Sequence, residues 1–498
     1  MGSNVVDQGE AGVSRCNRWG RRGPDVLRGR DRTHRSTGES SVPIDLSGRP
    51  APTGRVVIVG GGFAGLAAAS RLAGTLVDVQ VVDQHNFHTF QPLLYQVATA
   101  GLDAADVAYP IRTILRKSSN TRFVHGRVSN IDLTGKQVEL EDGNVLPYEY
   151  LVVASGATAA FFGVPGADEY ALSLYTLDDA RWVRNKVLAA FEHADSHPSG
   201  SGNGAVVVVV VGGGPTGVET AGALSELLSI TIRHDHLNLD PDRSRVVLLD
   251  ARERLLPSFS PKASMYVEDE LRARGVEIRL DAQVASVSSN GVSLVDGSEI
   301  AAAIVVWVAG VTVNGTLSSA LPGQRGPGGR VAVESDLSLP GHSEVFVAGD
   351  AAAVRSRDPG PRQNTVGGVD DARAVCPQIA QVAIQSGDHA AGQILNRLAG
   401  RESMGFVYRD RGVMATVGRR AAVAQLRGGS VVSGTLGWMA WLVLHLVYLI
   451  GFRNRFVVLV NWTWSYFRWP SGPRIIVGDV ARSGAGAVYC PDCRSGRS

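Results

Sequence analysis

The sequence predicts an α/β fold, with two interleaved three-layer domains followed by a C-terminal apolar helical segment. Three observations carry this expectation. A short unbroken apolar strand runs into a Gly triplet and then a helix near residue 60. The same arrangement returns about 150 residues later, a domain-sized spacing. A late zone, residues 434–478, is rich in Trp and poor in charge.

Composition sets the frame. The chain has 498 residues, with 49 Lys or Arg against 47 Asp or Glu, and a formal net charge of +2. That balance gives no electrostatic footprint for nucleic acid, which is not expected as a partner. Hydrophobic residues at 44% and charged residues at 19% exclude a disordered chain. Four Cys in this length exclude a disulfide scaffold. Residues 1–53 hold nine Arg, no Lys and six acids, without the apolar stretch of a secretory signal. They read as a disordered basic arm.

Order begins at Arg55. Val56-Val57-Ile58-Val59 has the continuous apolar character of a buried parallel strand. Gly60-Gly61-Gly62-Phe63-Ala64-Gly65 follows, and Leu66 onward reads as helix. A second strand, Val77 to Val82, ends on Asp83. The later copy runs from the strand Val206 to Val211 through Gly212, Gly214 and Gly217 into the helix Val218 to Leu228. Its next strand, Arg245 to Leu249, ends on Asp250. Strands over 151–154 and 305–308 close on Ser155-Gly156 and Ala309-Gly310. A further strand, Val345 to Val347, closes on Ala348-Gly349-Asp350. Residues 355–371 read as a loop and residues 377–398 as a helix.

Each Gly triplet fills G-x-G-x-x-G between strand and helix, which suits a pyrophosphate. The first Gly makes the turn, the second admits the phosphates, and the third lets helix pack on strand. The helix N-terminus then faces the anion. These are therefore Rossmann-like dinucleotide-binding units. Asp83 and Asp250 sit where a carboxylate accepts from ribose hydroxyls, and Asp250 would repel a 2′-phosphate, favouring NADH over NADPH. Asp350 supplies a downstream contact for the ribityl chain or pyrophosphate of FAD. It also reads as an N-cap before Ala351-Ala352-Ala353. The first unit is thus expected to take non-covalent FAD and the second NADH.

With these motifs, the Ala154-Ser155-Gly156 strand end and Ala348-Gly349-Asp350, the chain resembles the two-dinucleotide-domain flavoproteins. Within them it resembles the type II (non-proton-pumping) NADH:quinone oxidoreductases over about residues 55–478. The stretches that carry this are Asp83-Gln84-His85-Asn86-Phe87-His88 running on through Gln91-Pro92-Leu93-Leu94-Tyr95-Gln96, Gly214-Pro215-Thr216-Gly217-Val218-Glu219, Ala380-Gln381-Val382-Ala383-Ile384-Gln385, and Tyr448-Leu449-Ile450-Gly451-Phe452-Arg453-Asn454-Arg455. The resemblance implies a membrane-associated flavoenzyme of the respiratory chain that oxidises NADH and reduces quinone to quinol. It implies a peripheral place on the cytoplasmic face of the cell membrane, and no metal. Departures from the pattern are the long stretch between Asp350 and Ala380, and Asn314-Gly315.

The domains expected are a basic arm (1–53), a FAD-binding part (54–175), a NADH-binding domain (176–335), a second FAD-binding part with the flavin and quinone helix (336–427), a membrane-anchoring segment (428–478) and a tail (479–498). Glu219, Gln381 and Gln385 are the expected catalytic residues. By position, Glu219 lies in the first turn of its helix, where the helix N-terminus would stabilise its charge. By resemblance, it binds or relays protons beside the flavin. Gln381 and Gln385 share a helix face, and by resemblance they line the quinone tunnel. The cofactor-binding residues expected are Gly60, Gly61, Gly62, Phe63, Ala64, Gly65, Asp83, Gln84, His88, Val128, Gly156, Asp350, Ala380, Gln381, Gly212, Gly214, Gly217, Asp250 and Gly310.

No Cys lies between Cys16 and Cys376, so the thiol pair of disulfide reductases and of sulfide:quinone oxidoreductases has no counterpart. Cys490-Pro491-Asp492-Cys493 stands alone in a polar tail and reads as a thiol pair without function. Gly434 to Phe452 carries no formal charge and has His445 as its one side chain that titrates near neutral pH. Trp438, Trp441, Trp462, Trp464 and Trp469 fall in this zone, with Arg453, Arg455, Arg468 and Arg474 flanking its apolar runs. Trp and Arg suit a bilayer interface, and the first run, apolar all round, is expected to lie on a lipid surface rather than span it. The interface of a homodimer is the alternative covering. The alternative functions are a soluble reductase serving an iron–sulfur protein and a flavoprotein kept for binding.

Overall fold

The computed structural model describes residues 54–197, 204–236, 238–240, 242–313, 315, 317, 320–356, 375–467 and 474–477. The basic arm, most of the loop over 355–371, Asn314, Arg468, Trp469 and the Cys490–Cys493 tail lie outside them.

Two parallel sheets organise the described chain. In the first, β1 (Arg55–Val59) pairs with β2 (Asp78–Asp83) on one side. Beyond β2 lies β4 (Thr121–His125), and a short strand, β3 (Phe87–Thr89), is set off from the sheet. On its other side β1 pairs with β5 (Tyr150–Val153). The chain comes back much later to add β14 (His342–Val347) beside β5, with β13 (Ser338–Leu339) antiparallel at the edge. Val56 to Val59 are buried, as a strand covered on both faces requires. One face carries α1 (Phe63–Leu72) and α6 (Ala380–Leu398), which touch backbone to backbone: a Cβ on Gly387 would stand 2.1 Å from the Ala64 carbonyl oxygen. A small antiparallel sheet over 128–147 adds Ile131, Val138 and Leu140 to the same core.

The second sheet is inserted between these two contributions, so the domains interleave. Its order is β7 (Leu172–Ser173), β11 (Ile304–Trp307), β8 (Val207–Val211), β9 (Arg245–Leu249) and β10 (Val276–Arg279), all parallel. Helices α3 (Leu177–Ser196), α4 (Pro215–His234) and α5 (Pro261–Ala273) contribute to its core, as does α2 (Leu94–Ala98), which the first part of the chain supplies. A two-stranded antiparallel ribbon, β6 (Ala157–Ala159) with β12 (Val311–Val313), joins the strand ends of the two sheets.

The C-terminal part adds a three-stranded antiparallel sheet, β15 (Val413–Gly418), β16 (Ala421–Gln425) and β17 (Val431–Ser433). No motif in the sequence announced this sheet. It is clamped between two helices by glycines. A Cβ on Gly222 of α4 would lie 1.9 Å from the Val417 oxygen. One on Gly437 of α7 (Gly434–Tyr448) would lie 2.9 Å from the oxygens of Ala422 and Val432. The last helix, α8 (Phe452–Phe467), is tied to the body by Asn454. Its Nδ2 donates to the carbonyls of Ala105, Asp106 and Ala108 at 3.3, 3.1 and 3.2 Å.

Candidate active site

The two Gly loops have the same geometry. Gly60 has φ +106° and Gly212 has φ +117°, left-handed conformations that favour glycine. Gly62 and Gly214 each face open space. A Cβ on Gly65 would stand 1.8 Å from the Gly60 oxygen, and one on Gly217 would stand 1.7 Å from the Gly212 oxygen. The three positions thus make a turn, an open cradle and a close helix–strand contact. Replacing Gly65 by Ala is expected to abolish cofactor retention in the first cradle, read as loss of bound chromophore on gel filtration.

Each cradle has its acid. Asp83 accepts from the Gly61 and His85 N–H groups at 2.6 and 2.7 Å. Asp250 accepts from the Gly213 and Arg252 N–H groups at 2.6 and 2.8 Å. A carboxylate has about four lone-pair directions, so each retains capacity for a ribose hydroxyl. A cleft beside the first cradle is lined by Gly60, Asp83, Gln84, Val128, Ser155 and Leu317.

The rest of the first site converges from distant segments. His88 on β3 is buried, with Nδ1 3.1 Å from the Gly61 oxygen and the ring edge-on to Phe63. Its Nε2 is buried without a partner among the described residues, an orphan that fits a bound group. Burial holds the ring below its usual pKa, hence neutral. Gly156 (φ +69°) lies beside Tyr175, whose hydroxyl donates to Asp350 at 3.3 Å and accepts from the Ala157 N–H at 3.2 Å. Asp350 is raised by burial, against the opposing Tyr175 hydroxyl and Arg330 charge. It sits inside a single 3₁₀ turn, Gly349–Ala351, capped by Ala348, and Ala352–Ala353 continue as strand. The expected N-cap role of Asp350 is therefore corrected, because no helix follows it. The Gly349 N–H donates to the Ser386 hydroxyl of α6 at 2.9 Å. Tyr175, Arg330 and Ser386 carried no sequence signal, since each meets Asp350 or its turn only through the fold.

Ala380 opens α6, whose first turn has no side-chain cap. Gln381 and Gln385 do share a face, and both amides are engaged. Gln381 donates to the Gly412 oxygen at 2.9 Å and accepts from the Arg411 N–H at 3.3 Å. Gln385 donates to the Arg409 oxygen at 3.0 Å and accepts from its N–H at 2.9 Å. Together they bind the 409–412 segment to α6, and Arg411 reaches on to the Tyr448 hydroxyl of α7 at 2.9 Å.

Glu219 differs from expectation. Helix α4 begins at Pro215 and has no acid in its first turn, so Glu219 lies one residue too deep for the helix end to favour its charge. Its surroundings decide instead. Burial pushes its carboxyl up to about 8, opposed first by the Thr416 N–H of β15 and then by the Trp441 indole of α7. The Thr416 bond is 3.3 Å long, whereas the Trp441 N–H closes no hydrogen bond among the described residues. Trp441 is buried and stacks on His445 one turn further along, ring centres 4.0 Å apart, with Phe90 edge-on to His445. Burial pushes His445 down to about 4, so it is neutral at ordinary pH. The sequence alone did not show that the C-terminal apolar helix would wall the acid of the second Gly-loop helix.

Helix α7 is not uniform around its axis. Gly437, Trp441 and His445 face the protein, while Leu436 (72% exposed), Met439, Val443 (62%) and Val447 face outward. The expectation of a run apolar all round holds for composition, and the fold gives it two roles. None of the described helices is long and apolar enough to cross a membrane.

The pyridine nucleotide-disulphide oxidoreductase family matches residues 54–387, and the NDH2 C-terminal domain matches residues 411–468. The type II NADH:quinone oxidoreductase Ndh of Mycobacterium tuberculosis is 38% identical over 86% of this chain and 91% of its own length. The type II NADH:quinone oxidoreductase of Staphylococcus haemolyticus is 27% identical, over 77% and 92%. In fold, the structure of NDH2 from Plasmodium falciparum in complex with NADH superposes with a TM-score of 0.76 at 18% identity, covering 85% of this chain and all of that one. With both Gly cradles, the interleaved sheets and the C-terminal domain in place, the chain belongs to the type II NADH:quinone oxidoreductase family.

Proposed function

We propose that this NADH:quinone oxidoreductase holds FAD non-covalently in the first cradle and NADH in the second, and reduces quinone beside Glu219. The observation that carries this is the position of Glu219. It stands on the helix of the second cradle and against the aromatic wall of a helix whose other face is apolar and exposed. For FAD, the cradle residues Gly60, Gly61, Gly62, Phe63, Ala64 and Gly65 would hold the pyrophosphate. Asp83 and Gln84 with Val128 would take the adenosine end, and Asp350 with Gly156 and His88 the flavin half. The open Gly62 and the orphan His88 Nε2 fit such a group. Bound flavin accepts a hydride and returns two electrons singly or as a pair.

The protein's own residues place the partners and manage the proton. Oxidation of NADH by quinone takes up one proton as quinol forms. Glu219, protonated below about pH 8, supplies it from a carboxyl oxygen and is refilled from solvent. The uncapped N–H groups at Ala380 and Gln381 favour negative charge on the ring. Gln381 and Gln385 position the 409–412 segment on the quinone side. Gly212, Gly214, Gly217, Asp250 and Gly310 hold NADH. The outward face of α7 rests on the membrane surface, peripherally and on the cytoplasmic side, where NADH is made.

Purified protein is expected to be yellow, to release FAD on denaturation, and to oxidise NADH faster with a quinone analogue than with oxygen alone or ferredoxin. Colourless folded protein, or FMN in place of FAD, would overturn the assignment. NADH is expected to be preferred over NADPH, because Asp250 repels a 2′-phosphate. Asp250→Ala should narrow that preference, and equal kcat/KM values for the two in the parent would refute the role given to Asp250.

A further inference from the structure

The ribbon that joins the two sheets ends in a turn with the wrong residue for its shape. The Val164 N–H donates to the Phe161 oxygen at 3.0 Å. Between them Phe162 has φ +53° and Gly163 φ +69°. Two successive left-handed residues make a type I′ turn, which favours Asn, Asp or Gly at its first central position. A bulky aromatic there is a genuine backbone outlier. Phe162 is also 68% exposed, so burial does not explain its presence either. Strain of this kind persists only where the surroundings fix it, and it clusters at sites of function.

The surroundings do fix it. The preceding Phe161 packs on Trp307, ring centres 6.0 Å apart. The Trp307 indole donates to the Ala160 oxygen at 2.8 Å, and the Ala160 N–H donates to the Gly310 oxygen at 3.0 Å. The Phe162 ring is thereby laid over Gly310: its Cζ lies 2.7 Å from where a Gly310 Cβ would be. Gly310 in turn adjoins the second cradle, since a Cβ on Gly212 would lie 2.6 Å from the Cα of Ala309.

The sheet order says which part of a dinucleotide passes there. Asp250 ends β9 on one side of β8 and marks the adenosine half. Strand β11, which leads to Gly310, lies on the other side of β8. In such a sheet the ligand crosses outside the strand ends, with its second half beyond the central strand.

We propose that Phe162 is the aromatic platform against which the nicotinamide half of NADH docks. This rests on the reading that the second cradle holds NADH. The ring covers an apolar face of the nicotinamide nucleoside and steers it toward the flavin, and the strained turn keeps that face bare and directed. Gly310 is glycine because the ring occupies its Cβ position.

The test uses the flavin-loaded enzyme and reads NADH and quinone parameters separately. Phe162→Ala is expected to raise the KM for NADH about tenfold, leaving kcat at saturating NADH and the KM for quinone within twofold. Phe162→Tyr should retain parent values. Phe162→Gly is the more telling variant. Relief of backbone strain should keep or raise Tm while the KM for NADH rises as in the alanine variant, a combination that a structural role would not give. An NADH KM within twofold of the parent in both the alanine and glycine variants, or a fall in Tm for Phe162→Gly, would overturn the proposal. Gly214→Ala separates it from the reading beneath it. Its methyl meets open space in the fold and intrudes on the cradle. If it weakens NADH binding while Phe162→Ala does not, only the platform is wrong. If neither does, the cradle reading is wrong as well.

Discussion

Glu219→Gln is expected to leave flavin bound and its reduction by NADH intact, while slowing the quinone half-reaction about 100-fold, the lower end of the range of a lost general acid. The change keeps shape and removes the transferable proton. In the parent, the quinone step should fall with a midpoint near pH 8 as Glu219 loses its proton; in the variant that midpoint should vanish. Stability follows the same group. Its folded pKa of about 8 lies above the ordinary glutamate value of about 4.5, so folding retains a proton that the unfolded chain releases. The stabilisation is complete below about pH 4.5, declines as the pH rises, and is lost once the pH passes about 8. The glutamine variant escapes that loss, and its Tm relative to the parent should climb between pH 5 and 8 and then level. Stopped-flow measurement of each half-reaction checks the first claim and calorimetry across pH the second. Parent rates in both half-reactions would reduce Glu219 to a buried helix acid.

The second large effect is on the membrane. Val443→Glu with Val447→Glu places two charges on the outward face of α7 without touching Trp441 or His445. Liposome flotation should be abolished, and activity with long-tailed quinones in liposomes should drop at least tenfold, while short soluble analogues react as before. Each exposed apolar side chain contributes roughly 1.5–3 kcal/mol on burial, and each Arg near an anionic surface about 1 kcal/mol. Because the apolar share dominates, high salt should release little of the parent protein. Cutting the segment away is a poorer test, since Trp441, Val458 and Trp462 belong to the core of the second domain. A doubly charged variant that still floats would move the apolar face to a contact between two copies of the chain, with the oligomeric state as the readout.

Much of this site was legible in the sequence because its signals are local. A Gly triplet after an apolar strand declares a phosphate cradle within six residues, and both cradles have the expected form. Asp83 and Asp250 end their strands as read. The remainder was hidden because it is assembled over long separations. Glu219 meets Thr416 and Trp441 from about 200 residues away, and nothing near Glu219 announces the resulting proton affinity. Tyr175 reaches Asp350 across a similar gap. Gln381 and Gln385 showed their shared face by spacing, but not that the 409–412 segment would engage both amides. Amphipathicity in α7 was invisible because both faces are apolar; only the fold separates a Gly437–Trp441–His445 side from a Leu436–Val443–Val447 side.

The glycine at 437 lays α7 flat on its sheet, so the width of this one helix separates its exposed apolar face from Glu219. A helix with its side chains is about 10–12 Å across. On the proposed membrane reading, a quinone head would reach the acid by travelling about one helix width from the acyl layer, its isoprenoid tail still dissolved in lipid. Turnover would then require no desorption of the substrate. The enzyme should be indifferent to tail length once a tail is long enough to stay in the bilayer, and selective only among heads.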